Sequence, residues 1–365
     1  MQLLVSLKKD DIEEIRKLYE QSFEDSKQFV DYYFDEKIVA ERVMAIKENN
    51  SIIAMLHLNP FRVQMNNKSY DVSYIVAVAT HIKFRNRGYM GQLMEAALNR
   101  LYNQGEVFSL LMPIDSRIYE RYGFGFIEDH IKMDINTKTI STENIPYTCW
   151  SFTEKDLSLL CRQFEKFSKN YNLITMRDEK DFLKLYKELR TDNGSIIVFK
   201  EGYLMMYYEG NILHIREIVY NTVDAFYEIT SFIQEKSRMG RVVIFDHEYS
   251  KLKYYIPNIK DNTITVKPFM MARIINVEEF INKNIDLFVE NIRIKVTDSY
   301  IGMNNAVYQI TENKAAKYIV SDYDFEIDIK TLTQLCFGYL DSEQSEFKEV
   351  FNRSFPARNF FNEYV

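Results

Sequence analysis

The sequence predicts a mixed α+β fold, with central sheets flanked by helices and more than one domain. Three observations predict it. Apolar runs of strand length alternate with segments whose apolar residues recur every three or four positions, the two periods of strand and helix. The order of elements in the first third of the chain returns, coarsely, in the second third. And 365 residues, 46% apolar and 15% aromatic, exceed one typical core, so two or three domains are expected.

Residues 2–7 read as a strand. In DDIEEIRKLYEQSF, Ile12, Ile15, Leu18, Tyr19 and Phe23 share one helical face, with acids in the first turn, where a helix favours them. KQFVDYYFDEK follows as a second helix, rich in aromatics. Residues 42–48 and 51–65 are strand-like, with KENNSI as the hairpin turn between them. VAVATHIKFRNRGYMG then reads as strand, turn and helix: Val76 and Val78 sit in a buried strand, and Met90, Leu93, Met94, Ala97, Leu98 and Leu101 line one helix face. FSLLMP (108–113) is another buried strand. IDSRIYERYGFGF predicts a short helix broken at Gly123, with Gly125 before a strand that ends near Ile135.

The turn from Lys83 to Gly91 carries the first chemistry. Lys83, Arg85 and Arg87 precede Gly88 at the start of a helix, where unpaired backbone N–H groups and a partial positive charge favour an anion. Gly88 lets a ligand approach the backbone closely. A phosphate fits this arrangement; a basic, solvated turn capping an ordinary helix is the plain alternative. The turn is neither G-x-x-x-x-G-K-[ST] nor G-x-G-x-x-G. Arg85-Asn86-Arg87-Gly88-Tyr89 resembles the pyrophosphate turn of GNAT acetyltransferases, R-x-x-G-x-G/A, with Met90 where the last small residue is usual. The order of one strand, two helices, three strands, helix, strand, helix and strand is similar to the GNAT fold. SRIYERYGF, at this distance after the turn, resembles the enhanced intracellular survival (Eis) family of GNAT acetyltransferases.

That resemblance covers nearly the whole chain and implies tandem GNAT domains plus a C-terminal sterol-carrier-protein-like domain, divided here as 1–136, 137–268 and 269–365. TKTISTENIPYTCWSFTEKD reads as a linker, interrupted by Pro146. Helical patterns at 154–170 and 178–190 precede strands near 195–200, 203–209 and 211–220, a helix at 222–236 and the strand VVIFDHE. The comparable turn, EIVYNTVDAF, has neither glycine nor arginine, so this copy is expected to be structural. PFMMARIINVEEFI opens the third unit. VTDSYIGMNNAVYQI predicts two strands around a tight turn, with Asp298 and Asn304 matching the family pattern, and FEIDIKTLTQLCFGYLD a strand followed by a helix. An apolar groove there competes with a packed core, the default for apolar residues.

Composition narrows the function. The net charge of −7 argues against nucleic acid, whose binding needs a basic face. No run approaches 18 continuous apolar residues, so no membrane span is expected, and MQLLVSLKKDDIEE lacks the apolar core of a signal peptide. Cys149, Cys161 and Cys336 are few and widely spaced, reading as reduced, mostly buried thiols of a cytoplasmic protein. His57, His81, His130, His214 and His247 show no metal-ligand spacing, and no metal is expected.

The resemblance implies acetyl-CoA as cosubstrate, held by Val78, Ala79, Thr80, Arg85, Asn86, Arg87, Gly88, Tyr89, Met90 and Gly91, with Ile114 and Asp115 as weaker candidates. Tyr119 matches the family's general acid; a phenol, pKa ~10, can protonate a leaving thiolate. Tyr122, in the same segment, is the rival. In the resembled family the chain terminus enters the active site, and its α-carboxylate acts as base or orients the amine. Here that group belongs to Val365, and Phe360, Phe361 and Tyr364 suggest a docked tail. Asp115, Glu120, Glu363 and His81 are alternative bases; His81 more simply ends the strand. Phe29, Tyr32, Tyr33 and Phe34 either wall a pocket for the amine substrate or belong to the core. The resemblance implies amine substrates, with aminoglycosides and other polyamines as examples, and a homo-oligomer as large as a hexamer. A non-enzymatic scaffold binding an apolar ligand, and an acetyltransferase of protein lysines, are the alternatives.

Overall fold

The computed structural model describes all residues except 1, 5, 6, 8, 50, 143, 238, 239, 248, 249, 257–259, 319–321, 353–357, 364 and 365. The first unit runs β1 (Gln2–Leu4), α1 (Lys9–Ser22), α2 (Lys27–Tyr32), β2 (Val43–Glu48), β3 (Ser51–Met65), β4 (Lys68–Thr80), α3 (Tyr89–Asn103), β5 (Phe108–Leu111), α4 (Ser116–Glu120) and β6 (Gly125–Asn136). α2 starts where the Ser26 hydroxyl accepts from the Phe29 N–H at 3.2 Å, one of the orphan donors of a helix N-terminus. β4 begins eight residues before Val76, where the sequence reading started it. Its first half alternates Ser69, Asp71 and Ser73 with Tyr70, Val72 and Tyr74, a half-buried pattern. A two-residue turn, Asn66 and Asn67 with φ of 49° and 63°, joins it to β3, the left-handed geometry tight hairpins prefer.

The second unit repeats the order with β7 (Cys149–Ser151), α5 (Leu157–Ser168), β8 (Leu173–Thr175), α6 (Glu179–Thr191), β9 (Ser195–Phe199), β10 (Gly202–Glu209), β11 (Ile212–Tyr220), α7 (Val223–Lys236) and β12 (Arg241–His247). The rest comprises β13 (Thr263–Ile274), α8 (Val277–Lys283), β14 (Ile292–Thr297), β15 (Ala306–Ile310), β16 (Ala315–Tyr318), β17 (Phe325–Asp328), α9 (Ile329–Cys336) and β18 (Asn359–Phe360). One 14-stranded mixed sheet joins the first two units, and β14–β17 form a separate four-stranded sheet. β13 enters the large sheet between β5 and β6 and is antiparallel to both; position 268 therefore lies inside a strand.

α1 and α2 cover one face of the first unit through Ile15, Leu18, Tyr19, Val30 and Tyr33, packed on Val43, Ala45, Ile52, Met55 and Ala79. Leu93, Met94, Ala97, Leu98 and Leu101 of α3 lie in a second core that continues into the third unit through Phe280, Leu332, Leu335 and Phe337. At the join, Arg273 is fully buried. It donates to the Tyr122 carbonyl and pairs with Asp298 at 2.5 Å, and Asp298 also accepts from Asn304 at 2.9 Å. Cys336 is buried, whereas Cys149 and Cys161 are half-buried, and all three are free thiols. Among the described residues no helix is long and apolar enough to cross a membrane, and no group of three or more His, Cys, Asp or Glu is placed to hold a metal ion.

Candidate active site

Two parallel strands part here. β4 pairs with β5 only where Ser73, Tyr74 and Ile75 face Ser109, Leu110 and Leu111. β4 then runs on to Thr80 with no β5 partner, leaving the edge of Val76–Thr80 open on that side. A β-bulge sits at the parting point: Met55 faces Ala79 but His57 faces Val76, so β4 carries an extra residue. Ala77 takes φ 51°, a left-handed conformation that costs a non-glycine residue roughly 1–2 kcal/mol. Bulges re-aim backbone groups and end pairing. Here the bulge sits where β5 pairing ends, at the head of the unpaired edge Val76–Thr80, to which an extended ligand could add hydrogen bonds.

The basic turn follows directly on that open edge. His81 ends the strand: its N–H donates to the Ile53 carbonyl at 2.9 Å and its Nδ1 accepts from the Lys83 N–H at 3.3 Å. Arg85 reaches back, donating from Nε to the Thr80 carbonyl at 3.1 Å, which ties the turn to the strand and leaves its outer nitrogens exposed. Arg87 lies over the Phe84 ring at 5.3 Å. Asn86 and Gly88 adopt φ of 62° and 80°, and Gly88 provides no side-chain cap for α3. The first N–H groups of α3 are thus left for an outside acceptor. A Cβ on Gly88 would meet nothing within 4 Å, so the glycine serves a left-handed backbone and an open approach. An uncapped helix start flanked by guanidinium groups fits a diphosphate.

SRIYERYGF supplies the two tyrosines. Tyr119 is buried, in the apolar cluster against which Val76, Val78, Tyr89 and Met90 pack. Burial pushes its phenol up to about 12, and among the described residues its hydroxyl has no hydrogen-bond partner. Tyr122 is committed elsewhere: its hydroxyl accepts from Arg121 at 2.9 Å and its ring packs on Tyr300 at 4.8 Å. That hydroxyl also lies 3.3 Å from where a Cβ on Gly91 would be. Asp115 caps α4, accepting from the Arg117 N–H at 3.1 Å, and the Arg117 guanidinium beside it lowers its pKa. Glu120 pairs with Lys330 at 3.3 Å. Ile114 is exposed.

Comparisons with known proteins match two parts of the chain to known domains. Residues 4–127 match the family model of the acetyltransferase (GNAT) domain, and residues 277–351 match that of the sterol carrier protein domain. The chain carries a GNAT acetyltransferase domain and a sterol carrier protein domain. Three solved structures cover 100% of this chain and are covered 100% by it: a conserved protein from Enterococcus faecalis (TM-score 0.85, 19% identity), a GCN5-related N-acetyltransferase from Anabaena variabilis (0.82, 17%) and Eis1 from Mycobacterium abscessus (0.77, 11%). No curated protein matches the sequence significantly.

In this acetyltransferase the C-terminal tail docks rather than trailing free. β18 pairs in parallel with β8. The Asn359 amide donates to the Ile127 and Phe337 carbonyls at 2.8 and 2.9 Å. Phe361 packs on Phe61 and Tyr74, and its N–H donates to the Glu128 carboxylate at 2.9 Å. Burial raises the Glu128 pKa well above the ordinary range. Glu363 accepts from Arg177 Nε at 2.9 Å and from the Thr175 hydroxyl at 3.2 Å, and its carbonyl accepts from the Tyr74 hydroxyl at 3.4 Å. Tyr74 is two residues from the bulge. Val365 and Tyr364 lie outside the described residues.

The remaining predicted groups divide clearly. Tyr33 is fully buried, stacked on Tyr19 at 5.4 Å, and with Phe29 and Phe34 it belongs to the core under α1 and α2; Tyr32 is buried too, and its hydroxyl donates to the Lys184 carbonyl of the second unit at 2.8 Å. In the second unit, β11 runs parallel to β12 over Leu213–Ile215 and leads into α7, as β4 leads into α3. There the Thr222 hydroxyl accepts from the Ala225 N–H at 3.1 Å, and Asn221 donates to the Gln163 carbonyl at 3.0 Å. The donor that α3 leaves free is capped in α7. The sequence reading missed His57, Asn59, Thr175 and Arg177, which reach the site only through tertiary packing.

Proposed function

We propose that the protein transfers the acetyl group of acetyl-CoA directly to an amine, with Tyr119 as general acid and the Val365 α-carboxylate as base. The observation that carries this reading is the open β4 edge at Val76–Thr80 running into the uncapped N-terminus of α3 at Gly88. Val78, Ala79 and Thr80 would hold the pantetheine amides and the thioester carbonyl, and residues 85–91 the pyrophosphate, with Ile114 and Asp115 at the rim. Burial keeps the Tyr119 phenol protonated at working pH, as a donor to a leaving thiolate requires. The docking of Phe361 and Glu363 against Tyr74, two residues from the bulge, supports a role for the tail. An α-carboxyl, pKa ~3.5, is a weak base for an ammonium; desolvation, relay through water, or simple orientation of the cationic substrate would each let it act. We assign the chain as 1–136, 137–268 and 269–365, the middle unit structural, acting as a homo-oligomer in the cytoplasm. Aminoglycosides and polyamines, lysine peptides and amino acids are the candidate substrates. The test is thiol release from acetyl-CoA across that panel, with mass spectrometry of the product. Acetyl-CoA that binds saturably but is never consumed would favour a scaffold.

A further inference from the structure

A cavity of about 850 Å³ lies beside the first half of β4 and the loop before β5. It lies along the edge of β3, between the end of β2, where Val43 faces His57, and the start of β8 pairing, where Val63 faces Thr175. Asn59, Phe61, Thr175, Arg177 and Glu363 are among its walls. Asn59 faces Tyr74, and two residues along β3 His57 faces Val76 at the bulge; at the rise of a strand that is about 7 Å. A molecule held at Asn59 therefore lies about two residues along β3 from the level at which the strands part.

Asn59 is buried, only 4% exposed, yet nearly unused. Its single partner among the described residues is the Tyr33 hydroxyl, 3.4 Å from both Oδ1 and Nδ2. That is long for a hydrogen bond, and an amide offers two donors and an acceptor oxygen. Behind it the Tyr33 hydroxyl is 2.8 Å from His57 Nδ1, and the two rings stack at 5.8 Å. His57 is fully buried, and among the described residues its Nε2 has no partner. Burial pushes the imidazole down to about 3, so it stays neutral at working pH and does not serve as the base. An aliphatic residue would fill that site without an unpaired buried nitrogen, an expensive group to leave unmade. What the imidazole adds is a fixed Tyr33 hydroxyl, and through it a fixed Asn59.

We propose that Asn59 binds the amine substrate in this cavity and that Tyr33 and His57 are its positioning residues. The substrate class follows from the lining. Cationic side chains are at least as numerous there as carboxylates, and the innermost, Arg177, is paired with Glu217 and Glu363 at 2.7 and 2.9 Å. A polycation gains no net field in such a space. A small amine that also carries a carbonyl or carboxylate, an amino acid or short peptide, matches an amide, an aromatic ring and balanced charge.

This rests on the acetyl-transfer reading above, and the experiment separates the two. The full-length protein is assayed with acetyl-CoA and with alanine amide, a dipeptide, spermidine and an aminoglycoside; acetyl-CoA affinity is measured by calorimetry. Asn59→Leu is expected to raise the KM for the amine about tenfold or more, the loss of one or two hydrogen bonds, with acetyl-CoA affinity within about twofold of wild type. Tyr33→Phe and His57→Leu should each raise that KM by a smaller factor, and the double variant no further, because they act in one chain. An unchanged amine KM in Asn59→Leu overturns the site, and turnover confined to spermidine and the aminoglycoside overturns the substrate class. Should Asn59→Leu fail to fold, Tyr33→Phe carries the test, since it deletes one oxygen. Failure of the wild type to bind acetyl-CoA would instead sink the acetyl-transfer reading, and the amide's role with it.

Discussion

Replacing Gly88 by Asp is the most direct probe of the cofactor turn. Gly88 holds φ 80° with open space where a side chain would begin, so the carboxylate meets no steric obstacle and the fold should survive. The left-handed backbone costs a side-chain-bearing residue about 1–2 kcal/mol, less for Asp than for most. The effect on binding is larger. Each hydrogen bond to a charged phosphate oxygen that is lost removes about 1.5–3 kcal/mol. A carboxylate about 4 Å from a phosphate adds about 1 kcal/mol of repulsion in water and up to about 4 near a protein surface. Together these predict a loss of about 3–6 kcal/mol, or roughly 10²–10⁴ in acetyl-CoA affinity. Calorimetric titration measures it, with thermal melting to check the fold. Two controls isolate the cause. Gly88→Ala carries similar strain but no charge and should keep affinity within about tenfold; S-acetylpantetheine, which lacks the pyrophosphate, should bind the Asp variant as it binds wild type. A folded Gly88→Asp protein with wild-type affinity for acetyl-CoA would falsify the assignment of the turn.

Four further outcomes follow from the same geometry. Tyr119→Phe should lower kcat by about 10²–10⁴ and leave acetyl-CoA affinity unchanged. Because burial raises the native phenol to about 12, its proton is present at every pH below that, so kcat should show no descending limb near pH 9–10; a limb there would assign the acid elsewhere. Removing Tyr364 and Val365 should cost roughly 10² in kcat while leaving acetyl-CoA binding intact, and unchanged turnover by the truncated chain would reject the carboxylate role. Asp298→Ala strands the fully buried Arg273 and should destabilise by about 3–5 kcal/mol, read from urea unfolding; a loss under 1 kcal/mol would mean the pair contributes little to holding the third unit. Val223→Glu places a charge on an exposed residue at the start of α7, where an acid suits the helix. It should alter neither acetyl-CoA affinity nor turnover, and a collapse in affinity would put the cofactor on the wrong unit.

What the sequence made legible was whatever carries its signal locally. α1, α3, α5, α6 and α7 show a helical stripe, and Gly88 and its arginines are contiguous. The first half of β4 was missed because Ser69, Asp71 and Ser73 interrupt the apolar run, and β7, β8 and β16 are too short for periodicity to register. The aromatics of α2 show where local reading stops: composition does not separate a ring in a core from a ring on a pocket wall, and Tyr33 is in the core. The other wall of the candidate site is assembled over distance. Tyr33 meets His57 across 24 residues and the Tyr74 hydroxyl meets Glu363 across 289, separations at which a single sequence carries no pattern.

The third unit belongs in the chemical argument for reasons that have nothing to do with lipid. Its apolar residues fill a core continuous with that of the first unit. α4, which carries Tyr119, is five residues long, too short to be stable alone. What fixes its far end comes from the third unit and β13. Arg273 takes the Tyr122 carbonyl, and Ile329 and Arg273 crowd Gly123, where a Cβ would stand 2.6 Å from Ile329 Cγ2 and 2.7 Å from Arg273 Nη1. Gly123 also holds φ 81°, so it is needed both for its backbone and for its missing side chain. Lys330 ties down Glu120 from the same helix of the third unit, and the Phe337 carbonyl receives the Asn359 amide of the tail. The third unit thus grips both the segment that carries Tyr119 and the docked residues Asn359–Glu363. On the proposed mechanism, a variant that loosens this unit should therefore disturb Tyr119 and the tail together.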